Sequence, residues 1–323
     1  TALPMGVFAA KKDSTEEKLT KVTLNEVAHS IFYAPQYVAI EEGYFAEKGL
    51  DLTLVTGFGA DKTMTAVISG EADIGFMGAE ASVYAYQEGA TDPVVNFAQL
   101  TQRAGNFLVA REEMPDFKWE DLKGEKVLGG RKGGMPEMVF EYILKKNGMD
   151  PQKDLTIDQS IDFGSTAAAF TSDDSAAYTV EFEPSATILE KEGAGYVVAS
   201  LGEASGYVPY TSYSAKASYM KENPEIIQKF TDALQKGMDY VQNHTPEEIA
   251  EVIAPQFKET DLETITAIVK RYYDQDTWKE NLIFEKDSFE LLQDILEDAG
   301  ELTDRTAYEN LVQTEYAQKA CKN

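Results

Sequence analysis

Apolar and polar positions alternate over Lys21–Val27, with Val22 and Leu24 on one face, and the same two-residue period returns at Asp51–Thr56. Between them lies the loop His29–Tyr33 and an apolar-rich stretch, Ala34–Glu42, closed by Gly43, which predicts a helix. The alternation continues down the first half. Thr63–Ser69 predicts a helix, Ile74–Met77 a buried strand, Ser82–Gln87 a helix and Val94–Leu100 a strand. A second block repeats the scheme with a strand at Phe107–Ala110, a short helix at Trp119–Leu122 and a strand around Val127. It continues with a helix at Glu137–Lys146 and strands opening at Ile157, at Ala176–Val180 and at Tyr196–Ser200. Strands alternating with helices at this spacing predict α/β architecture with parallel strands. From Pro224 the period changes to three and four. Ile227, Phe230, Leu234, Met238 and Val241 mark one long helix, and further helices are predicted at Pro246–Ile253, Leu262–Tyr273 and Phe284–Ala299.

Several segments resemble the solute-binding proteins of ABC importers for sulfonates, nitrate, taurine and thiamine pyrimidines. The matching pieces are the run Phe32–Asp51, with its Glu-Gly-Tyr-Phe and Gly-Leu-Asp-Leu elements, the helix end and strand Val67–Gly75, and the turn Trp119–Val127. The resemblance implies a two-lobed periplasmic-binding-protein-like fold of type II, each lobe a mixed sheet flanked by helices, with a ligand cleft between lobes. It assigns 1–20 to a flexible tether, 21–105 and 210–323 to a discontinuous first lobe, and 106–209 to the second. Hinge strands are expected near Thr101–Phe107 and Gly206–Ser212. The implied protein is a monomer that binds a small molecule and hands it to a membrane permease outside the cytoplasm. Its precursor would carry a signal peptide and, in a Gram-positive cell, a lipid-bearing cysteine.

Composition narrows the partners. The 323 residues carry a formal net charge of −27, which repels nucleic acid and anionic lipid. A single cysteine, Cys321, allows neither an internal disulfide nor a thiolate metal cage. With two histidines, His29 and His244, and no spaced carboxylate cluster, no metal and no cofactor is expected. Hydrolase, zincin, Walker and dinucleotide-binding motifs are missing, so the expectation is a carrier and not an enzyme. A eukaryotic branch of the same family makes the thiamine pyrimidine from its own histidine and pyridoxal phosphate. That branch carries a cysteine-rich iron motif, for which Cys321 alone supplies no equivalent.

Candidate chemistry gathers in loops at the carboxyl ends of strands, where open α/β sheets bind ligands. The first loop offers His29, Phe32 and Tyr33. The second, Gly57–Thr63, offers Phe58 and Gly59, and its glycines open a helix whose free N–H groups can meet a ligand. After the third strand comes Glu80, where relatives carry small or hydroxyl residues. The fourth loop offers Gly134, Met135 and Glu137, beside Arg131 and Lys132. Sulfonate binders resemble Gly-Ser-Thr here, and the change to Gly-Met-Pro-Glu removes the hydroxyls. The fifth, Tyr178–Pro184, resembles the family's aromatic-Glu-Pro element. It nominates Tyr178 for stacking and Glu181 or Glu183 for a charge contact. Rings and carboxylates outnumber bases, which suits a flat, electron-poor or cationic ring such as thiamine or its aminopyrimidine precursor. The alternatives are an alkanesulfonate, taurine or nitrate-like anion, another heteroaromatic such as a flavin, and a pyrimidine-synthase-like enzyme on the same fold.

Overall fold

The structure, a computed structural model, describes residues 18–89, 91–162 and 164–322. The predicted tether therefore lies outside the described residues except for its last three positions, of which Thr20 already opens a strand. Among the described residues, ten strands form two five-stranded sheets. The first holds β1 (Thr20–Glu26), β2 (Leu50–Thr56), β3 (Ile74–Met77), β4 (Val94–Thr101) and, much later in the chain, β10 (Thr211–Lys216), in the order β2-β1-β3-β10-β4. The second holds β5 (Phe107–Ala110), β6 (Lys126–Leu128), β7 (Thr156–Asp158), β8 (Tyr178–Glu181) and β9 (Tyr196–Ser200), in the order β7-β6-β8-β5-β9.

Both sheets are mixed. β1 pairs in parallel with β2 and β3, and β6 with β7 and β8, because helices connect them. β10 runs antiparallel between β3 and β4, and β5 antiparallel between β8 and β9. A hinge strand is expected near Gly206–Ser212, whereas Thr211–Lys216 is an interior strand of the first sheet. The chain passes from the first sheet to the second through 102–106 and back through 201–210. These two crossings run side by side, with Val208 N–H donating to Gln102 O at 2.9 Å and Leu201 N–H to Asn106 O at 3.0 Å.

Helix Ala34–Glu41 is buried over its first six residues because it is covered on both sides. The sheet lies on one face and helix Pro224–Asn243 on the other. At their crossing, a Cβ on Gly237 would sit 2.4 Å from Pro35 O, so only glycine allows this approach. The C-terminal helices do not stay on one unit. Helix Lys286–Asp298 packs on the short helix Tyr308–Leu311 and also on helix Met135–Lys146 of the second unit, where Lys145 Nζ donates to Asp298 O. Edge strand β4 is covered by the chain's end, with Gln313 N–H donating to Asn96 O at 2.9 Å. Three helix starts lie earlier in the chain than the apolar period predicts: Ala60, Glu80 and Met135 open their helices two residues or more upstream. Polar or proline-bearing first turns carry no apolar stripe, which is why periodicity misses them.

Candidate functional site

A cavity of about 270 Å³ lies between the two sheets, at the carboxyl ends of β1, β3, β6 and β8. Of the residues nominated from the sequence, His29, Tyr33, Phe58, Gly59, Glu80, Gly134, Met135, Glu181 and Glu183 line it. Three do not.

Tyr178 is the first residue of β8, so it sits at the end of the strand away from the cavity. Its ring lies by Phe117 and its hydroxyl meets Met114 Sδ at 2.9 Å. The aromatic residue that reaches the cavity from this segment is Phe182, just past the strand's carboxyl end. Phe32 is fully buried beneath the crossing segments, packed with the rings of Tyr33, Phe182, Tyr210 and Tyr272. A Cβ on Gly105 would strike its ring at 2.5 Å, so Phe32 supports the crossing and does not face the ligand space. Glu137 points under its helix toward Glu141 and Gln159, and burial with the Glu141 carboxylate holds its proton well above the usual carboxylate range.

The loop after β1 is built around Glu26, which has no exposed surface. Its carboxylate accepts from Tyr37 OH (2.6 Å), Thr56 Oγ1 (2.8 Å), Gln36 Nε2 (3.1 Å) and His29 Nδ1 (2.8 Å). The other nitrogen of His29 lies 2.8 Å from Gln256 O. A carbonyl can only accept, so Nε2 carries a proton toward Gln256, and with Nδ1 on the Glu26 carboxyl group both ring nitrogens are engaged. Burial works against a charge on the ring, but the Glu26 hydrogen bond and charge, and the Gln256 carbonyl, outweigh it and raise the pKa. His29 thus offers the cavity a ring face and no free nitrogen. Tyr33 is buried among Phe32 and Phe76, yet its hydroxyl makes no hydrogen bond among the described residues and remains available to a ligand.

Phe58 reaches the rim through a strained turn. It has φ 61°, uncommon for a residue with a side chain, between Gly57 and Gly59. Gly57 lies so close to Asn25 and Thr63 that a Cβ would sit 2.6 Å from an oxygen of each. The turn holds the Phe58 ring 60% exposed at the cavity's edge.

Two carboxyl groups face the interior from opposite sides. Glu80 opens helix Glu80–Gln87 after β3, and burial pushes it up to about 7 against the pull of its own N–H, Arg131 and the Met135 N–H. Glu181 ends β8. Burial pushes it, too, up to about 7, opposed by the hydroxyls of Thr179 (2.8 Å) and Thr166. Glu183 is committed elsewhere. Its carboxylate accepts from Thr187 N–H (3.1 Å), Thr187 Oγ1 (2.9 Å) and Arg271 Nη1 (2.8 Å), capping helix Ser185–Lys191. Its carbonyl accepts from Ser30 Oγ at 2.6 Å, which ties the second unit's loop to the first.

The sequence reading does not nominate Ser30, Asn106, Thr166, Tyr210 or Thr211, all of which line the cavity. Asn106, Tyr210 and Thr211 belong to or adjoin the crossing segments, which carry no periodic signal. Only the proximity of those segments to the strand ends would have pointed to them. Among the described residues no group of three or more His, Cys, Asp or Glu could hold a metal ion, and no helix is long and apolar enough to cross a membrane. Cys321 is free and exposed, and it is not among the cavity's lining residues.

Known proteins are similar to this chain. "Putative binding protein YtlA" of Bacillus subtilis (strain 168) is 47% identical over 97% of this chain and 93% of its own length. The riboflavin-binding protein RibY of Chloroflexus aurantiacus is 25% identical over 71% of this chain and 65% of its own. The 4-amino-5-hydroxymethyl-2-methylpyrimidine phosphate synthase THI11 of Saccharomyces cerevisiae is 24% identical over 65% of this chain and 63% of its own. Among solved structures, the alkanesulfonate-binding protein SsuA from Xanthomonas axonopodis, bound to MOPS, superposes with a TM-score of 0.73. It is 15% identical, covering 92% of this chain and 99% of that one. The fold is therefore that of the periplasmic binding proteins, as the two mixed sheets and their crossings also show. The NMT1/THI5 like family model matches residues 31–249, and the chain belongs to that family.

Proposed function

We propose that this protein is the extracytoplasmic solute-binding component of an ABC importer, and that it captures a flat heteroaromatic ligand, uncharged or cationic, between two lobes. The observation that carries the ligand class is the pair of buried carboxyl groups, Glu80 and Glu181, facing one cavity from opposite sheets. Both are held near neutrality by burial, so each can donate a proton to a ring nitrogen or accept from an amino group. The Tyr33 hydroxyl and the rings of Phe58, Phe182 and His29 supply further contacts of the kind a flat ring uses. Thiamine or its aminopyrimidine precursor is the favoured ligand. A cavity of about 270 Å³ lies just below the ~300–1,000 Å³ range for small-molecule sites, which favours a compact ligand over a flavin.

The lobes would be 21–105 with 210–323, and 106–209, closing about the crossing segments. The protein would act as a monomer at the cell surface or in the periplasm, as a lipoprotein where the precursor carries the anchoring cysteine. An anion such as taurine, an alkanesulfonate or nitrate is the second reading, favoured by the Arg131 guanidinium on the cavity wall. The enzyme reading has less support, because both nitrogens of His29 are engaged and Cys321 is not among the cavity's lining residues.

Native mass spectrometry of the purified protein, followed by calorimetry with thiamine, its aminopyrimidine precursor, riboflavin, taurine and nitrate, tests the proposal. Saturable binding of a ring compound, released unchanged, is the expected result. Binding of the anions alone, or turnover of the ligand, would replace it.

A further inference from the structure

Two helix N-termini face each other across the cavity. Helix Glu80–Gln87 leaves the first sheet directly after β3, and helix Met135–Lys146 leaves the second after β6. The second helix is 12 residues long and receives no side-chain cap from Gly134, so its first-turn N–H groups need an acceptor from elsewhere. Arg131 lines the same wall and makes no ion pair or side-chain hydrogen bond among the described residues. A helix N-terminus beside a free guanidinium is a seat for an anion.

Glu80 lines the same cavity, with its carboxyl group close enough to feel the Met135 N–H and the Arg131 charge. The residue is 2% exposed, and its Oε2 has no hydrogen-bond partner among the described residues. The carboxylate folds back over Gly78 so closely that a Cβ there would lie 1.9 Å from Oε2. One turn further along the same helix face, Tyr84 OH donates to Gly133 O at 2.7 Å, which fastens this helix to the loop in front of the other.

We infer that Glu80 is a specificity-determining residue: its carboxylate fills, from the opposite sheet, the anion seat made by Arg131 and the N-terminus of helix Met135–Lys146, and so excludes small anions from the cavity. A sulfonate or nitrate entering the seat meets a carboxylate already there. An uncharged or cationic ring leaves the seat as it is and finds the free Oε2. The inference rests on the cavity being a solute site, and it does not depend on which ring the cavity takes.

The test is Glu80→Ala, titrated with formate and methanesulfonate at constant ionic strength and followed by calorimetry and thermal shift. The variant is expected to gain saturable anion binding at least tenfold tighter than the unaltered protein, and adding Arg131→Gln should remove most of the gain. Glu80→Gln, which keeps the volume but drops the charge, should gain less than Glu80→Ala. A folded Glu80→Ala that binds these anions no better than the unaltered protein overturns the inference. Should Glu80→Ala not fold, Glu80→Ser is the second variant. Carboxyl NMR gives an independent reading on the unaltered cavity: Arg131→Gln should raise the pH at which Glu80 titrates, and an unmoved midpoint overturns the seat. Thiamine and its precursor are titrated alongside. If the unaltered protein ignores them while Glu80→Ala takes up formate, the ligand proposal falls and the seat stands. Tight binding of methanesulfonate by the unaltered protein sinks both.

Discussion

Arg271 reaches from helix Leu262–Asp274 to place Nη1 2.8 Å from Glu183 Oε1, joining the C-terminal helices to the loop after β8. The Glu183 carboxylate is wholly buried, whereas Arg271 keeps about a third of its side chain in solvent. Burial raises the Glu183 pKa, and Arg271 and Thr187 offset that rise. Removing Arg271 leaves a buried carboxylate with two hydrogen bonds from Thr187 and no counter-charge.

Arg271→Ala should therefore lower stability by about 1.5–3 kcal/mol, the range for a hydrogen bond to a charged group. With its counter-charge gone, Glu183 rises further and folding draws on its protonated form, so the loss should be larger at pH 8 than at pH 6. Urea denaturation at the two pH values measures both. An equal loss at both would mean that the pair's charge contributes nothing beyond packing.

Stability of the unliganded protein should increase as pH falls from 8 to 6. The folded pKa values of Glu80 and Glu181 are about 7, whereas an unfolded glutamate titrates near 4.3. Between those values the folded state binds protons that the unfolded state does not, so stability is fully present below the unfolded pKa and is lost as pH rises through 7. His29, also raised, acts in the same direction. Glu80→Gln combined with Glu181→Gln should flatten most of the slope in a series of thermal melts. A slope that survives both changes would assign it to other groups.

Binding of a cationic ring should release protons near pH 7, because a nearby positive charge favours the ionised carboxylates. Calorimetry in two buffers of different ionisation enthalpy would report this as a buffer-dependent heat. Equal heats in both would indicate that Glu80 and Glu181 keep their protonation state.

Tyr33→Phe should weaken ligand binding by about 0.5–1.5 kcal/mol, the worth of a single hydrogen bond. Tyr178→Phe should leave affinity unchanged, since its hydroxyl contacts Met114 outside the cavity. The pair of substitutions, measured by the same titration, separates cavity residues from strand residues. A loss of affinity in Tyr178→Phe equal to that in Tyr33→Phe would place the ligand elsewhere.

Ligand should also compact the molecule if closure runs through 102–106 and 201–210. Small-angle scattering at saturating ligand should then show a smaller radius of gyration. An unchanged profile would mean that the lobes are already closed without ligand.

The sequence by itself determined the class of fold, because its alternation of two-residue and helical periods repeats what each element buries. Lys21–Val27, Ile74–Met77 and Phe107–Ala110 are legible as strands, and Pro224–Asn243 as a helix, since one face of each must be apolar. The loops at strand ends were legible as cavity walls for the same reason: a glycine or small-residue turn after an apolar strand marks the carboxyl edge of a parallel sheet. Which side chains of those loops face the cavity was decided only in three dimensions. Tyr178 and Phe182 are four residues apart and equally aromatic. Yet β8 rises about 3.3 Å per residue, which leaves Tyr178 on the order of 10 Å behind the edge that Glu181 and Phe182 reach. Phe32 and Tyr33 are adjacent, and the short helical turn Ile31–Tyr33 sends one ring under the crossing and the other to the cavity. The contacts of Glu80 with the far helix, and of Glu183 with Arg271, join residues 51 or more positions apart in sequence. No local pattern encodes such pairs. They exist because two sheets, each built by local rules, are brought face to face by crossings and C-terminal helices that carry no motif of their own.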